Sequence, residues 1–205
     1  MSQIKNIIFD LGGVLLNLDY NKTSVEFQKL GITHFDDLFT QFKANTLFED
    51  LETGKISADN FYQTIQQYCR PGVTKQEMEL AWNAMLLDYR EESLAYLTEL
   101  KQRYNLFLLS NTNSIHLAAI QQLFTRQIGD KPLLDDYFTK AYYSHIIQMR
   151  KPYASTYEFV LKDGNMLASE TLFIEDSIQN VEGAKELGIQ THLLLPTEKI
   201  ENLGL

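Results

Sequence analysis

Short apolar runs that lack the alternation of a half-exposed strand recur along this chain. The first is "IIF" at residues 7–9, and the others are "LFLLS" (106–110), "KAYYS" (140–144), "TLFIED" (171–176) and "THLLL" (191–195). Such runs are typical of strands that are covered on both faces. Amphipathic helical patterns separate them, and strand–helix alternation predicts an α/β fold with a parallel sheet and right-handed crossovers.

Residues from about 20 to 88 interrupt this rhythm and read as entirely helical. Ser57 is the expected N-cap of one helix, and Thr74 with Glu77 has the spacing of a capping box before another. We therefore predict a helical module inserted just after the first strand. The predicted core comprises residues 1–17 and 89–205, and the predicted insert comprises residues 18–88.

Polar residues end several of the predicted strands. They are Asp10, the triplet Ser110-Asn111-Thr112 and the pair Glu175-Asp176, with Arg150-Lys151 in a later loop. Ligands of open parallel sheets bind beyond the carboxyl ends of the strands, so these side chains are expected to converge. Each also has a purely structural reading: a turn residue, the N-cap of the next helix, a solvated loop cation or acids at a helix start.

Carboxylates, a hydroxyl and a lysine together fit phosphoryl transfer. Asp10 could attack phosphorus and form an aspartyl-phosphate. Asp10 beside Asp176 would repel an anionic substrate unless a divalent cation intervened, and hard oxygen ligands favour Mg²⁺. Ser110 and nearby backbone N–H groups could hold phosphate oxygens, while Lys151 would offset negative charge.

Composition excludes some partners. The net charge of −9 and the pI near 4.9 disfavour nucleic acid. No apolar run approaches the roughly 20 residues of a membrane helix. Cys69 is the sole cysteine, and the N-terminus lacks the features of a signal peptide, so a cytoplasmic protein is expected. The sequence is compatible with a monomer or a homodimer.

Four segments, in order and spacing, resemble the haloacid dehalogenase-like (HAD) hydrolase superfamily: "FDLGGVL", "LLSNTN", "MRKP" and "LFIEDSIQNVEGAKELG". The resemblance implies a Rossmann-like parallel-sheet core with an inserted α-helical cap of the C1 type. The chain looks most like small bacterial sugar-phosphate phosphatases similar to α-D-glucose-1-phosphate phosphatase, and "FEDLETGKISADNFY" in the insert also resembles that subgroup.

The resemblance also implies residue roles. Asp10 is the expected nucleophile and metal ligand, and Lys151 the expected charge-stabilising residue. Phosphate-binding roles fall on Ser110, Asn111, Gly12 and Lys151. Mg²⁺ ligation falls on Asp10, the Gly12 carbonyl and Asp176, with Glu175 as a ligand or as the partner of one. Weaker candidates are Asp19 as an acid and Lys43, Arg70 and Trp82 as substrate contacts, although packing or solvation explains each of these more simply.

One position departs from the family pattern. Most phosphatases of the superfamily carry an aspartate where this chain has Gly12, and that aspartate is the general acid/base. Losing general acid catalysis costs about 10²–10⁴-fold in rate. A better leaving group, proton delivery by water or by the cap, or slow turnover would each accommodate the glycine.

The prediction is a Mg²⁺-dependent phosphatase that hydrolyses a small phosphorylated metabolite, a sugar phosphate above all, through an aspartyl-phosphate. The alternative is a non-catalytic or weakly active phosphometabolite-binding protein, which Gly12 favours. A 2-haloacid dehalogenase is a further alternative, and Gly12 and the Glu175-Asp176 pair both speak against it.

Overall fold

A five-stranded parallel sheet forms the centre of the protein, whose computed structural model describes residues 3–35 and 46–205. Its strands are β1 (Asn6–Phe9), β4 (Asn105–Ser110), β5 (Lys140–Tyr143), β6 (Thr171–Glu175) and β7 (Gln190–Leu193). They lie in the order β5-β4-β1-β6-β7, and each adjacent pair is parallel. The predicted α/β class and parallel sheet are confirmed.

Both faces of this sheet are covered, which explains the absence of alternation in its strands. Ile7 packs into one hydrophobic cluster and Ile8 into another on the opposite face. Helices α5 (Glu91–Leu100) and α6 (Ser114–Gln127) contribute to the first cluster, while α8 (Ala154–Asp163) and α9 (Ile178–Glu186) contribute to the second. The remaining short elements of the core are α7 (Ser144–Ile147) and the 3₁₀ turns Leu134–Tyr137, Ala168–Glu170 and Ile200–Asn202.

The helices of the insert pack around an aromatic centre. They are α1 (Tyr20–Lys29), α2 (Leu47–Glu52), α3 (Ala58–Gln66) and α4 (Lys75–Asn83). Ser57 caps α3, and the Thr74–Glu77 capping box begins α4, as predicted. The rings at their centre belong to Phe27, Phe35, Phe48, Phe61 and Trp82. Within the described residues, every helix is too short or too polar to cross a lipid bilayer.

The expectation that residues 20 to 88 are all helical was wrong at one end. Leu86–Tyr89 forms strand β3, which pairs antiparallel with β2 (Leu16–Leu18). The chain enters the insert through β2 and leaves it through β3. Hydrogen bonds between these two strands satisfy backbone N–H and C=O groups of both. The partners lie about 70 residues apart along the chain, so no local pattern announces the pairing.

Candidate active site

Asp10, Ser110 and Glu175 lie together because they end, or directly follow, three neighbouring strands. The order β4-β1-β6 places β1 at the switch point, where chain connections leave in opposite directions. Lys151 enters from the loop before α8 and is only 1% exposed. Its Nζ donates to Asp10 Oδ1 at 2.6 Å and to Glu175 Oε2 at 2.5 Å.

Asp176 completes a group of three carboxylates. One carboxylate oxygen from each of Asp10, Glu175 and Asp176 lies within 4.8 Å of the others. The Glu175 carboxylate is already engaged in two hydrogen bonds, since it accepts one from Lys151 Nζ and one from the Ser177 backbone N–H at 3.1 Å. Asp10 and Asp176 are therefore the better placed to ligate a cation, and Glu175 orients the lysine.

Among the described residues, one ammonium group faces these three carboxylates, and their pKa values reflect that imbalance. Burial and the Glu175 charge raise the pKa of Asp10 to about 7. Partial desolvation and a hydrogen bond with Glu175 raise the pKa of Asp176 to about 6, even though part of this residue is exposed to solvent. Burial opposes ionisation of Glu175, but the Lys151 charge prevails and keeps the pKa of Glu175 below its usual range. A divalent cation between Asp10 and Asp176 would supply the missing positive charge.

The two glycines after Asp10 serve different purposes. Gly13 has a φ of 71°, and a Cβ there would overlap the Asp176 carboxylate. Gly12 is outside the left-handed region, so its backbone does not require glycine. A Cβ at Gly12 would instead lie 2.6 Å from Leu18 Cδ1. Leu18 thus fills the space into which an acidic side chain at position 12 would extend.

Asn111 holds the loop that carries Lys151. Its Oδ1 accepts from the Lys151 N–H and its Nδ2 donates to the Lys151 carbonyl, both at 2.9 Å. The side chain therefore positions the lysine, and a phosphate contact of Asn111 stays a prediction. The structural reading of Ser110-Asn111 as an N-cap was wrong, because Asn113 caps α6 by accepting from Ile115 and His116 backbone N–H groups.

Several side chains of the insert contact side chains of the core beside this site. Arg150 Nε lies 2.9 Å from Glu52 Oε2, and the Tyr153 hydroxyl donates to Glu49 Oε2 at 3.1 Å. Trp82 of α4 stacks on His116 of α6 with ring centroids 4.9 Å apart. Sequence reasoning missed all these pairs, since nothing in their local patterns signals a contact across the chain.

A cavity of about 380 Å³ extends from Gly12 and Ser110 towards the insert. Trp82 lines this cavity, a position that is compatible with the prediction that it contacts the substrate. Arg70 does not line it and pairs with Glu77 on the exterior. Asp19 caps α1 by accepting from the Asn21 N–H, which is the structural role expected for it. Lys43 lies outside the described residues.

Comparison with known proteins gives one family. Residues 4–188 match the family model described as haloacid dehalogenase-like hydrolase. The chain is 35% identical over 189 residues to the D-ribitol-5-phosphate phosphatase of Bacteroides thetaiotaomicron, covering 92% of this chain and 90% of that protein. It is 29% identical over 189 residues to the sesquiterpene phosphatase astK of Aspergillus oryzae, covering 90% and 87% respectively.

A solved structure agrees with these matches. A wild-type HAD family enzyme from Bacteroides thetaiotaomicron, in complex with magnesium and inorganic phosphate, superposes with a TM-score of 0.89 at 32% identity. The match covers 98% of this chain and 100% of that one. The chain therefore belongs to the haloacid dehalogenase-like hydrolases, and the prediction that it is an enzyme of this family is confirmed.

Proposed function

We propose that this hydrolase is a Mg²⁺-dependent phosphatase of a small phosphorylated metabolite, with a sugar or sugar-alcohol phosphate as the first candidate. The observation that carries the proposal is the buried Lys151 ammonium bonded to both Asp10 and Glu175, next to the Asp176 carboxylate. The named activity of the Bacteroides relative, and the magnesium and phosphate in the related structure, support the same assignment.

Asp10 is the nucleophile in this proposal. Lys151 holds Oδ1, which leaves Oδ2 to bond to phosphorus while the bond from phosphorus to the organic oxygen breaks. The electron pair of that bond leaves with the organic oxygen, which then takes up a proton. Water next attacks the phosphorus of the aspartyl-phosphate, releases phosphate and regenerates the Asp10 carboxylate.

The other residues prepare the phosphate for this attack. Asp10, Asp176 and the Gly12 carbonyl would hold Mg²⁺, which when bound withdraws negative charge from the phosphate oxygens. Lys151 neutralises part of the same charge, and Glu175 keeps its ammonium in place. Ser110, at the end of β4, offers a hydroxyl to the transferring phosphate.

The proton for the leaving oxygen does not come from position 12. Gly12 has no side chain, and Leu18 occupies the adjacent space. Water in the cavity is the donor in this proposal. The same observation favours a second candidate, a protein that binds phosphorylated metabolites and hydrolyses them slowly or not at all.

A phosphate-release assay separates the two candidates. We expect Mg²⁺-dependent release from a panel of sugar and sugar-alcohol phosphates, and a fall of at least about 10⁴-fold in Asp10→Asn. Asp19→Asn is the matched control, since it makes the same change at the N-cap of α1 and should keep wild-type turnover. Equal release by wild type and Asp10→Asn would exclude Asp10 as nucleophile, and binding without release would favour the second candidate.

Several finer expectations remain predictions. They are the resemblance to α-D-glucose-1-phosphate phosphatase in particular, the insert bounds of 18–88, a cytoplasmic location, a monomeric or homodimeric state and the lack of nucleic-acid partners. A 2-haloacid dehalogenase would release chloride from a 2-haloacid in the presence of EDTA, and no described feature of the site favours it.

A further inference from the structure

The cavity beside the phosphate site has walls made mainly of carbon. The residues that line it include Leu16 and Leu18 of β2, together with Phe48, Trp82 and Met85 of the insert. Phe48 and Trp82 stack with centroids 5.5 Å apart, so the aromatic side is packed and well defined. Such a surface favours the apolar part of a ligand over a strongly hydrated one.

Charged groups are scarce along the described part of this lining. Glu52 is the one side chain there with a formal charge, and it is an acid paired with Arg150. His116 also lines the cavity, but burial lowers its pKa to about 3 and keeps the ring neutral. A second anionic group on the substrate would therefore meet no cation on the described lining.

Several polar groups on the lining are already engaged within the protein, whereas the Trp82 indole N–H and the Thr112 hydroxyl have no partner among the described residues. Thr23 Oγ1 donates to the Trp82 carbonyl at 3.1 Å, and Asn113 Oδ1 accepts two backbone N–H groups of α6. His116 Nδ1 lies 2.8 Å from Asn83 Oδ1. These groups have little capacity left to replace the hydration shell of a carboxylate or of a second phosphate.

We propose, on the basis of the phosphatase activity proposed above, that this cavity selects phosphomonoesters whose organic group is uncharged and packs an apolar face on the Leu18–Phe48–Trp82 walls. Within the described residues, the phosphate is the one anionic group for which the site holds a cation, because Lys151 and the metal position serve it alone. Phosphorylated acids and bisphosphates are rejected. The organic groups named for the two related phosphatases, an alditol and a sesquiterpene, are both uncharged, which accords with this selection.

Pairs of substrates that differ in a single charged group test the effect of substrate charge by itself. Glucitol 6-phosphate and 6-phosphogluconate differ only in having a CH₂OH or a carboxylate at C1, and glycerol 3-phosphate and 3-phosphoglycerate form a smaller pair of the same kind. We expect kcat/KM to favour the neutral member by at least about tenfold in each pair, since the substrate carboxylate meets no counterion on the part of the lining that the structure describes. Glucose 6-phosphate and 2-deoxyglucose 6-phosphate test the apolar walls, and loss of the hydroxyl should lower kcat/KM by less than about threefold.

A cation placed on the cavity wall should weaken the preference for neutral substrates. Leu86→Lys adds an ammonium to the cavity lining. Leu80→Lys is the control, because it adds the same group to α4 at a residue that is 67% exposed. We expect Leu86→Lys to narrow the neutral-to-anionic ratio at least about threefold, while Leu80→Lys keeps the wild-type ratio.

Two readouts keep the outcomes apart. Turnover with a ratio near one in wild type would overturn the selection and leave the phosphatase proposal standing. Absence of turnover with every phosphoester would overturn the phosphatase proposal. In that case, calorimetric Kd values for the same pairs, measured with Mg²⁺ present, still decide the selection: a Kd ratio near one refutes it, and a ratio of about tenfold supports it.

Discussion

The carboxylate cluster and the cavity both adjoin Gly12, and they differ in the kinds of side chain that form them. The cluster holds a lysine that is 1% exposed and bonded to two carboxylates. The cavity is lined mainly by aliphatic and aromatic side chains, and Thr23, Asn113 and His116 on its lining are engaged within the protein. One region concentrates charge for a phosphate, and the other offers packing surface for the group that carries the phosphate.

The two regions also differ in what they contribute to stability. Desolvation of a buried ion pair offsets much of its Coulombic gain. The cluster therefore adds little net stability to the fold, and its main contribution is to the chemistry of the site. The aromatic walls of the insert remove apolar surface from water and stabilise the fold directly. Changes in the cluster should therefore alter chemistry and metal binding, and changes in the cavity should alter selection.

The largest expected effect follows removal of the buried ammonium. Lys151→Met leaves Asp10 and Glu175 without their counterion, and the free energy of unfolding should fall by about 3–5 kcal/mol. Lys140→Met is the matched control, because it removes a half-exposed lysine 2.6 Å from Asp163 and should cost far less. Urea unfolding measures both, and equal losses would contradict the contrast between buried and surface pairs.

Gly13→Ala should weaken the metal position next. The new methyl group displaces the Asp176 carboxylate, and we expect the Mg²⁺ concentration for half-maximal activity to rise about 10–100-fold. Gly72→Ala provides the control, since Gly72 has a φ of 85° and open space around its Cβ. It incurs the same backbone strain without the collision. A metal requirement that rises equally in both variants would contradict the role assigned to Gly13.

Acidification should change the free energy of unfolding in opposite directions through the cavity and through the carboxylate cluster. His116 is neutral in the folded protein, whereas in the unfolded chain it takes up a proton near pH 6.5. Its contribution should therefore lower the free energy of unfolding by between about 1 and 2 kcal/mol from pH 6.5 to about pH 5. Asp10 and Asp176 have raised pKa values, so in the metal-free protein they bind protons before the unfolded chain does and stability rises as the pH falls through about 7.

Two variants separate these contributions in metal-free protein. His116→Gln should remove the acid-induced loss, and Asp176→Asn should remove part of the acid-induced gain. His34→Gln, at an exposed position, is the matched histidine control for this substitution. A profile of His116→Gln that matches wild type would show that the ring is not held neutral by burial.

The sequence predicted the parts of the molecule whose signals are local. The parallel strands are unalternating apolar runs, and their polar ends meet because parallel strands finish at one edge of the sheet. It did not predict the ribbon of Leu16–Leu18 with Leu86–Tyr89 or the Arg150–Glu52 pair, since both join distant segments by lateral contact. The cavity walls were hidden for the same reason, because Leu18 and Trp82 come to line one cavity only when distant parts of the chain fold together.

The most direct test of the phosphatase account is chemical trapping of the intermediate. Sodium borohydride reduces an acyl phosphate to an alcohol, so Asp10 should become homoserine when the protein turns over a phosphoester with Mg²⁺. Mass spectrometry of the peptide that contains residue 10 measures this conversion, and omission of Mg²⁺ or of substrate should abolish it. Phosphate release with an unmodified Asp10, or homoserine at Asp176 instead, would contradict the account.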